Sequence, residues 1–282
     1  MAEEAGVKFM KIAIITGASS GMGREFVYAI DNAFALDEIW VIARRESRLK
    51  ELKSECRTPI RTLAWDLTDP ASYENCRILL TELKPEIQVL INAAGFGLFG
   101  TFTEMNMNEQ LSSIDLNAKA LTAICHLCLP YMHEGSHIIN LASNSSWQPV
   151  PYINVYGASK AYVMSFSRAL GMELRTRKIH VMAVAPGWIK TEFFDTAIHD
   201  DTISYFDRYY TSQQVIDRAR REGVDAIIAT DMAAILYARR IGQEVHLSTQ
   251  LNISNAEALK FYARFADVVV LARELNLKQV AA

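Results

Sequence analysis

The sequence predicts an α/β fold whose parallel sheet carries helices on both faces. Short runs rich in Ile and Val alternate with longer stretches of helical periodicity, which is the pattern of successive β-α units. The first of these runs leads directly into a glycine-rich turn from Gly17 to Gly23, and a helical pattern follows. A strand, a turn and a helix in this order hold a phosphate group, because backbone N–H groups and the helix N-terminus favour an anion.

Six strands and five helices are expected in the first part of the chain. Each expected strand is a short apolar run, which is typical of a strand that is buried on both faces. The strands are expected at residues 12–16, 39–43, 60–65, 89–92, 137–141 and 179–185. The helices are expected at residues 21–33, 47–56, 71–83, 108–132 and 152–176. In a doubly wound fold, such units form two mononucleotide-binding halves with a crevice at the carboxyl ends of the strands.

The phosphate site is predicted to hold a dinucleotide that carries a 2′-phosphate. The turn glycines, Gly17, Gly21 and Gly23, depart from the usual dinucleotide spacing, and an ordinary tight turn is the alternative. The second strand ends at Arg44 and Arg45. An acid at this position binds the 2′-hydroxyl of NAD, whereas an arginine accommodates the 2′-phosphate of NADP. The sequence therefore predicts NADP(H) in preference to NAD(H), unless both arginines are solvated charges at a helix start.

Tyr156 and Lys160 are four residues apart, so on a helix their side chains share a face. An ammonium beside a phenol favours the phenolate, which predicts a pKa for Tyr156 below the ordinary value of about 10. Such a tyrosine can exchange a proton with an alcohol or carbonyl oxygen near neutral pH. Ser143 lies upstream and is a candidate hydrogen-bond donor, although a serine in a polar turn is the alternative. Alone, the spacing of the tyrosine and the lysine occurs on many exposed helices by chance.

Taken in order, these features resemble the short-chain dehydrogenase/reductase family over about residues 11–219. The matching motifs are residues 16–23, Asp66-Leu67, Asn92-Ala93-Ala94-Gly95, Asn117, Ser143, the run from Tyr156 to Lys160, and Pro186-Gly187. The resemblance implies a Rossmann-type doubly wound parallel sheet. It also implies an NADP-dependent oxidoreductase that interconverts a carbonyl and an alcohol by hydride transfer.

The resemblance further implies a role for each matching residue. Tyr156 would be the general acid/base, Ser143 would orient the substrate carbonyl, and Lys160 would hold the nicotinamide ribose. Asn117 would anchor a water of the proton relay. The residues implied in cofactor binding are Gly17, Ser19, Ser20, Gly21, Met22, Gly23, Arg44, Arg45, Asp66, Leu67, Asn92, Ala93, Ala94, Gly95, Tyr156, Lys160, Pro186, Gly187, Ile189 and Thr191. No metal ion is expected.

The substrate is expected to be a small apolar carbonyl or alcohol compound. This expectation follows from the side chains that would surround Ser143 and Tyr156, since these are mostly aromatic or aliphatic. They are Phe96, Leu98, Phe99, Trp147, Val150, Tyr152, Trp188, Phe193 and Phe194. Several of them could instead pack only into the core.

The chain changes character after residue 219, where two domains are expected to meet. Residues 1–219 would form the NADP-binding domain, and residues 220–282 a βαβαβ segment. Its strands are expected at residues 224–229, 244–248 and 267–272, and its helices at residues 232–242 and 255–265. Residues 223–228, 246–252 and 270–275 resemble part of the collagenase-like peptidase family, in which they belong to a (β/α) barrel. The resemblance implies a fusion, because so few units cannot close an eight-fold barrel.

This C-terminal segment is expected to cover its apolar surface, since a parallel sheet does not remain with its faces and edges bare. We predict that the strand at residues 224–229 docks at the edge of the main sheet, and that the rest packs against the body or a partner chain. His246 is expected to be a strand histidine with a partner rather than a ligand. Arg273 and Glu274 are expected to be a solvated pair, the alternative being a remnant barrel site.

Composition limits the classes of partner and the cellular location that are expected for the protein. The net charge of −3 predicts no general attraction to nucleic acid or membranes. Residues 1–8 lack the apolar region of a secretory signal, and no apolar run reaches the roughly 18 residues of a membrane span. Four cysteines in 282 residues are expected to be free thiols, including the Cys125–Cys128 pair, and a cytoplasmic location follows.

Two readings compete with a catalytic dehydrogenase. The C-terminal segment could carry peptidase-like activity, or the protein could bind a dinucleotide without turning over. The intact set of Ser143, Tyr156 and Lys160 favours catalysis. The resemblance also implies a homodimer formed through the helices expected at residues 108–132 and 152–176.

Overall fold

Six parallel strands form the central sheet of the computed structural model, which describes residues 9–147, 149–187, 226–229, 232–247 and 256–269. The strands are β1 (Lys11–Thr16), β2 (Glu38–Ile42), β3 (Ile60–Leu63), β4 (Glu86–Asn92), β5 (His137–Leu141) and β6 (His180–Val184). Their order in the sheet is β3-β2-β1-β4-β5-β6. The order reverses between β1 and β4, and a doubly wound sheet places its ligand at this point. The predicted fold class is confirmed.

The helices lie between the strands largely as the sequence predicts. They are α1 (Gly21–Ala33), α2 (Glu46–Glu55), α3 (Pro70–Leu83), α4 (Met107–Ile114), α5 (Leu121–Cys128) and α6 (Asn154–Glu173). The single helix expected at residues 108–132 is instead divided by a π-helical turn, Asp115–Ala120. The last helix starts two residues later than expected, because Tyr152 has a positive φ of 65° that a right-handed helix does not allow.

The strands divide the core into two layers, one on each face of the sheet. In β1, Ala13 and Ile15 face the layer that contains α1, whereas Ile12 and Ile14 face α3, α5 and α6. This alternation follows from the two-residue period of a strand. All four β1 side chains are at most 1% exposed, as expected for a strand that is covered on both sides.

The C-terminal segment forms a second, three-stranded parallel sheet. Its elements are β7 (Ala226–Ala229), α7 (Met232–Arg240), β8 (Glu244–Leu247), α8 (Ala256–Tyr262) and β9 (Val268–Val269). The strand β7 pairs with β8, and β8 pairs with β9. The predicted docking of residues 224–229 at the main sheet edge is therefore wrong. The β-α-β crossover brings β8 beside β7, so that β7 forms its ladder within the segment.

The segment packs on the main sheet through its helices. Ile235 of α7 and Phe261 of α8 are at most 2% exposed and belong to the same core layer as Ile15. The Phe261 ring lies 4.8 Å from the His137 ring, and the Tyr262 hydroxyl donates a hydrogen bond to the Met182 sulfur. The expectation of a βαβαβ segment packed on the dehydrogenase body is thus confirmed.

Several sequence predictions for this segment fall outside the described residues. They are the boundary at residues 219/220, the end of the strand predicted at residues 267–272, and the pair Arg273 and Glu274. His246 is described, and its Nε2 lies 2.8 Å from the Glu244 carboxylate, so the prediction of a strand histidine with a partner is confirmed.

The cysteines are free thiols, as the sequence predicts. Cys56, Cys76, Cys125 and Cys128 are free, and all but Cys56 are buried. None of the helices in the described ranges combines the length and apolar character that crossing a bilayer requires.

Candidate active site

A groove of about 500 Å³ lies at the carboxyl ends of β1 to β4. Most of the predicted cofactor residues line it. They are Gly17, Ser19, Ser20, Gly21, Met22, Gly23, Arg44, Arg45, Asp66, Leu67, Ala93, Ala94 and Gly95. The structure therefore brings together motifs that are far apart in the sequence.

Two glycines of the glycine-rich turn, Gly17 and Gly23, leave no room for a side chain. A Cβ at Gly23 would lie 2.2 Å from the backbone oxygen of Gly17, so only glycine lets α1 start against the turn. The Gly17 N–H donates to the Ile42 oxygen at 2.8 Å, which ties the turn to β2. The result is a helix N-terminus that opens on the groove, where it favours an anion.

Arg45 reaches across the groove to the two serines of this turn. Its Nη2 donates to the Ser20 hydroxyl at 2.6 Å and to the Ser19 hydroxyl at 3.1 Å. Although Ser20 is the N-cap residue of α1, its side chain makes no capping bond. A hydroxyl that accepts a hydrogen bond still has its own hydrogen to donate. We call Ser19, Ser20 and Arg45 the anion cradle.

Asp66 lines the next part of the groove. Its Oδ1 accepts hydrogen bonds from the Thr68 N–H and the Thr68 hydroxyl, at 2.9 and 2.7 Å. Burial raises the pKa of the Asp66 carboxyl, but the Thr68 hydrogen bonds and the charge of Arg44 outweigh it and lower the pKa below its ordinary value. This carboxylate is thus held charged and fixed in direction.

Tyr156 and Lys160 of α6 lie close to Ser143, which directly precedes a 3₁₀ turn after β5. The Ser143 hydroxyl interacts with the Tyr156 hydroxyl by a hydrogen bond. The Lys160 ammonium lies 5.7 Å from the centre of the Tyr156 ring and donates to the Leu141 oxygen at 2.7 Å. A Cβ on Gly95 would be 3.2 Å from the Lys160 Nζ, so this ammonium reaches the groove wall.

The predicted lowering of the Tyr156 pKa is wrong in this structure. Burial raises the pKa of Tyr156 to about 12, and the hydrogen bond with Ser143 opposes this rise only in part. Lys160 does not reverse the shift, because its ammonium lies over the ring and bonds to Leu141 rather than to the phenol oxygen. Burial lowers the pKa of Lys160 itself to about 8.

Asn117 is fully buried on the π-helical turn and joins three parts of the site. Its Oδ1 accepts from the Phe96 N–H at 3.0 Å, and its Nδ2 donates to the Phe96 oxygen at 2.8 Å. The same nitrogen donates to the hydroxyls of Ser113 and Ser159. The side chain therefore fixes the loop after β4 against α6, one residue before Lys160. The water-binding role of Asn117 remains a prediction.

Other predicted site residues lie beside the groove or outside the described chain. Asn92 is buried, and its Nδ2 donates to the Asn140 Oδ1 at 2.9 Å, which links the side chains of β4 and β5. Pro186 accepts a hydrogen bond from the Asn144 N–H at 2.9 Å, next to Ser143. Residues outside the described ranges are Ile189, Thr191, Trp188, Phe193 and Phe194.

The predicted substrate walls occupy three kinds of position. Trp147 and Tyr152 are 58% and 44% exposed, so their rings are accessible near the end of β5. Phe96 and Leu98 line the groove. Phe99 is only 3% exposed and is not among the residues that line this groove, so its role as a substrate wall stays a prediction.

Sequence reasoning missed several groove residues. Trp65 and Thr68 flank the recognised Asp66-Leu67 pair, and their position at a strand end was a usable signal. Glu109, Ser112 and Leu116 come from α4 and the π-helical turn. These three have no local signal, because only the path of the long loop after β4 brings them to the groove.

A nicotinamide dinucleotide fits the groups at this edge of the sheet. The glycine-rich turn leaves the space that a Cβ would fill, the anion cradle presents donors, and Lys160 reaches the wall at Gly95. In the groove, Gly17 to Gly23 would hold the pyrophosphate, and Asp66 would lie at the adenosine end. The chemistry that such a group supplies when bound is hydride transfer.

Comparisons with known proteins agree with this site. Residues 11–202 match the family model described as short chain dehydrogenase, and residues 195–282 match Peptidase family U32. The sulfoacetaldehyde reductase 2 of Chromohalobacter salexigens is 36% identical, over 64% of this chain and 74% of that protein. The C-terminal residues are 60% identical to a collagenase of Porphyromonas gingivalis, over 30% of this chain but only 19% of the collagenase. Both resemblances in the sequence are thus confirmed.

Solved structures show the same relationship. A short-chain dehydrogenase from Sphingobium yanoikuyae in complex with NADPH superposes with a TM-score of 0.62 and 27% identity, over 79% of this chain and 98% of that one. The matched model covers well over half of the chain, and the matched relatives are reductases and dehydrogenases. The chain therefore belongs to the short chain dehydrogenase family and is an oxidoreductase that acts on CH–OH groups.

Proposed function

We propose that the protein interconverts a small apolar carbonyl compound and its alcohol with NADP(H), and that Tyr156 is the general acid/base. The observation that carries this proposal is the meeting of Ser143, Tyr156 and Lys160 beside a groove shaped for a dinucleotide. Tyr156 and Lys160 are one helical turn apart in the sequence. Ser143 lies further upstream, and the fold brings it to them.

In the reduction, the Tyr156 hydroxyl donates its proton to the substrate oxygen, on which negative charge develops. A phenol whose pKa is raised to about 12 is protonated at neutral pH and so has this proton to give. Ser143 donates a second hydrogen bond to the same oxygen, as oxyanion donors do. The tyrosinate that remains keeps the hydrogen bond from Ser143, which favours its charged form, and the Lys160 ammonium would add to this only by turning from Leu141 toward the phenol oxygen.

A panel of ketones, aldehydes and quinones tests this function. Each is mixed with the protein and NADPH, and the loss of NADPH absorbance is followed. Turnover on at least one apolar carbonyl compound is expected. Tight binding of NADPH without turnover of any member would instead favour the non-catalytic alternative.

The preference for NADP(H) is supported by the anion cradle. Arg45 is already held toward Ser19 and Ser20, so a 2′-phosphate would meet one guanidinium and two hydroxyls with little reorganisation. Arg44 is exposed beside the groove and adds a second positive charge. No carboxylate stands at the end of β2, where an NAD-binding protein would place one.

Replacing Arg45 with alanine is expected to raise the Kd for NADPH about 10- to 100-fold, since hydrogen bonds to charged groups contribute about 1.5–3 kcal/mol. The Kd for NADH, which lacks the 2′-phosphate, is expected to change little. Nicotinamide fluorescence measures both constants. Lys50→Ala removes one positive charge from an exposed position on the same helix and is the matched control. An equal loss for both dinucleotides would contradict the role of Arg45.

We also propose that the protein forms a homodimer through α4. Met107, Leu111 and Ile114 are 68%, 50% and 42% exposed, and their spacing places them on one face of the helix. An apolar stripe of this kind marks an interaction surface.

Replacing Leu111 with lysine is expected to convert the dimer to a monomer, because it places a charge in the apolar interface. Sedimentation velocity measures the change. Ile78→Lys introduces the same charge at an exposed apolar position on α3 and should leave the dimer intact. A wild-type protein that sediments as a monomer at all concentrations would contradict this proposal.

The free thiols support a cytoplasmic location, since reducing compartments keep cysteines unpaired.

A further inference from the structure

An ion cluster joins α1 to α2 on the side of the anion cradle. Arg24 of α1 donates to Glu51 of α2 at 2.9 Å and to Glu55 of α2 at 2.7 and 3.0 Å. Its Nε donates to the Tyr28 hydroxyl at 2.7 Å, and this hydroxyl donates to Glu55 at 2.5 Å. The Arg24 side chain is only 16% exposed. Two nitrogens of the guanidinium thus bond directly to α2, and the third bonds to Tyr28 of α1, whose hydroxyl also reaches α2.

The two helices joined by this cluster carry the anion cradle at their first residues. Ser20 is the N-cap residue of α1 and lies one turn before Arg24, whose N–H donates to the Ser20 oxygen at 3.3 Å. Arg45 is the N-cap residue of α2. The distance between the Ser20 hydroxyl and the Arg45 guanidinium therefore depends on how α1 and α2 are held.

A second contact fixes the other end of α1. The Asp31 carboxylate accepts from the Thr58 N–H at 2.8 Å and from the Arg57 N–H at 3.1 Å. Loss of the Arg24 cluster would therefore leave α1 joined to the chain just after α2, and of the two glutamates it is Glu51 that lies nearer the Arg45 end of α2. A variant of the cluster is expected to fold.

The cluster depends on its shared hydrogen bonds more than on its charges, because the Glu51 and Glu55 side chains are 45% and 40% exposed. Hydrogen bonds from Tyr28 and Arg24 lower the pKa of Glu55 below its ordinary value, against a smaller opposing effect of burial. Exposed ion pairs contribute little alone, but a network with several shared charges and hydrogen bonds holds its geometry better.

We propose that Arg24, Tyr28, Glu51 and Glu55 form a positioning cluster that sets the selectivity for NADP(H) by fixing Arg45 against Ser19 and Ser20. The inference rests on the proposed preference for NADP(H). None of the four residues lines the groove, so their effect on a bound dinucleotide passes through the cradle.

Glu55→Gln and Tyr28→Phe test the cluster with little change in size. Each is expected to raise the Kd for NADPH by about 3- to 10-fold, the scale of coupling between residues of one network. The Kd for NADH and the kcat at saturating NADPH should stay unchanged. The rise in melting temperature caused by 2′,5′-ADP should shrink in parallel, which gives a readout that does not depend on activity. Glu74→Gln, which weakens the Arg77 ion pair on α3, is the control.

A double variant tests whether the cluster affects NADPH binding only through Arg45 of the anion cradle. Adding Glu55→Gln to Arg45→Ala should raise the Kd for NADPH no further than Arg45→Ala alone, because the cluster acts through Arg45. Additive losses, or equal losses for NADPH and NADH, would overturn the inference and show a merely structural cluster. If the wild-type protein binds NADPH and NADH equally, the proposed preference itself fails. If Arg45→Ala abolishes the preference and the cluster variants do not, only the cluster inference fails.

Discussion

Replacing Tyr156 with phenylalanine is expected to lower kcat by about 10²–10³-fold or more, judged from the loss of comparable hydrogen-bond donors. The substitution keeps the ring that packs under Lys160 and removes only the hydroxyl that bonds with Ser143. The substrate oxygen then has no proton donor at the point where charge develops. Steady-state turnover of the best carbonyl compound from the panel measures the effect.

Tyr162→Phe is the matched control for this variant. Tyr162 lies on the same helix, and its hydroxyl hydrogen bonds with Thr122 at 2.8 Å, away from Ser143. Its removal should leave kcat unchanged. The Kd for NADPH, measured in parallel, separates a loss in the chemical step from a loss of cofactor binding, which the family resemblance also implies for Tyr156. A Tyr156→Phe protein that keeps most of its turnover would exclude Tyr156 as the general acid/base.

Replacing Phe261 with alanine is expected to destabilise the folded protein by about 3–5 kcal/mol, the usual cost of emptying a buried phenylalanine site. Phe261 is 2% exposed and contacts both segments of the chain. Its ring lies 4.8 Å from His137 of the main sheet and 6.4 Å from Phe34 after α1. Its loss would leave a cavity between α8 and the main sheet. Urea denaturation measures the free energy of unfolding.

Met172→Ala provides the comparison for Phe261→Ala. Met172 is 70% exposed, so its truncation should change the free energy of unfolding very little. If Phe261→Ala is equally mild, the C-terminal segment does not pack on the dehydrogenase sheet in solution. A large loss would instead show that this segment, although similar to a peptidase, serves the stability of the dehydrogenase.

The sequence predicts those elements whose local pattern and tertiary place agree. The strand β5 has the predicted bounds, because a buried strand in a parallel sheet needs an unbroken apolar run. The helix α1 also has its predicted bounds, since the glycine-rich turn defines its start. The shared position of Tyr156 and Lys160 was predictable because their helical spacing places them on one face.

Features that depend on distant parts of the chain were not predictable. The delayed start of α6 follows from the left-handed backbone of Tyr152. This conformation cannot be predicted from the residue type, because a tyrosine rarely adopts it. Asn117 in the π-helical turn makes hydrogen bonds to Phe96, Ser113 and Ser159, which are distant in the sequence or on another turn. No local pattern encodes these contacts.

The errors on the Tyr156 pKa and on the docking of β7 share a cause. Spacing along a helix gave the proximity of Lys160 but not the burial of the phenol, and burial determines the direction of the shift. Likewise, the apolar pattern of residues 226–229 gave a strand but not its partner. Two sheet edges were possible, and the local crossover to β8 determined the outcome.

Hydride transfer at the Tyr156 site is tested most directly with NADPH in which both hydrogens at C4 of the nicotinamide are replaced by deuterium. The protein, this labelled dinucleotide and the best carbonyl compound are mixed, and the alcohol is analysed by mass spectrometry. Deuterium is expected on the former carbonyl carbon, with no labelled alcohol formed by Tyr156→Phe in the same time. Alcohol that forms without deuterium, or labelled alcohol formed equally fast by Tyr156→Phe, would contradict the proposed reaction at this site.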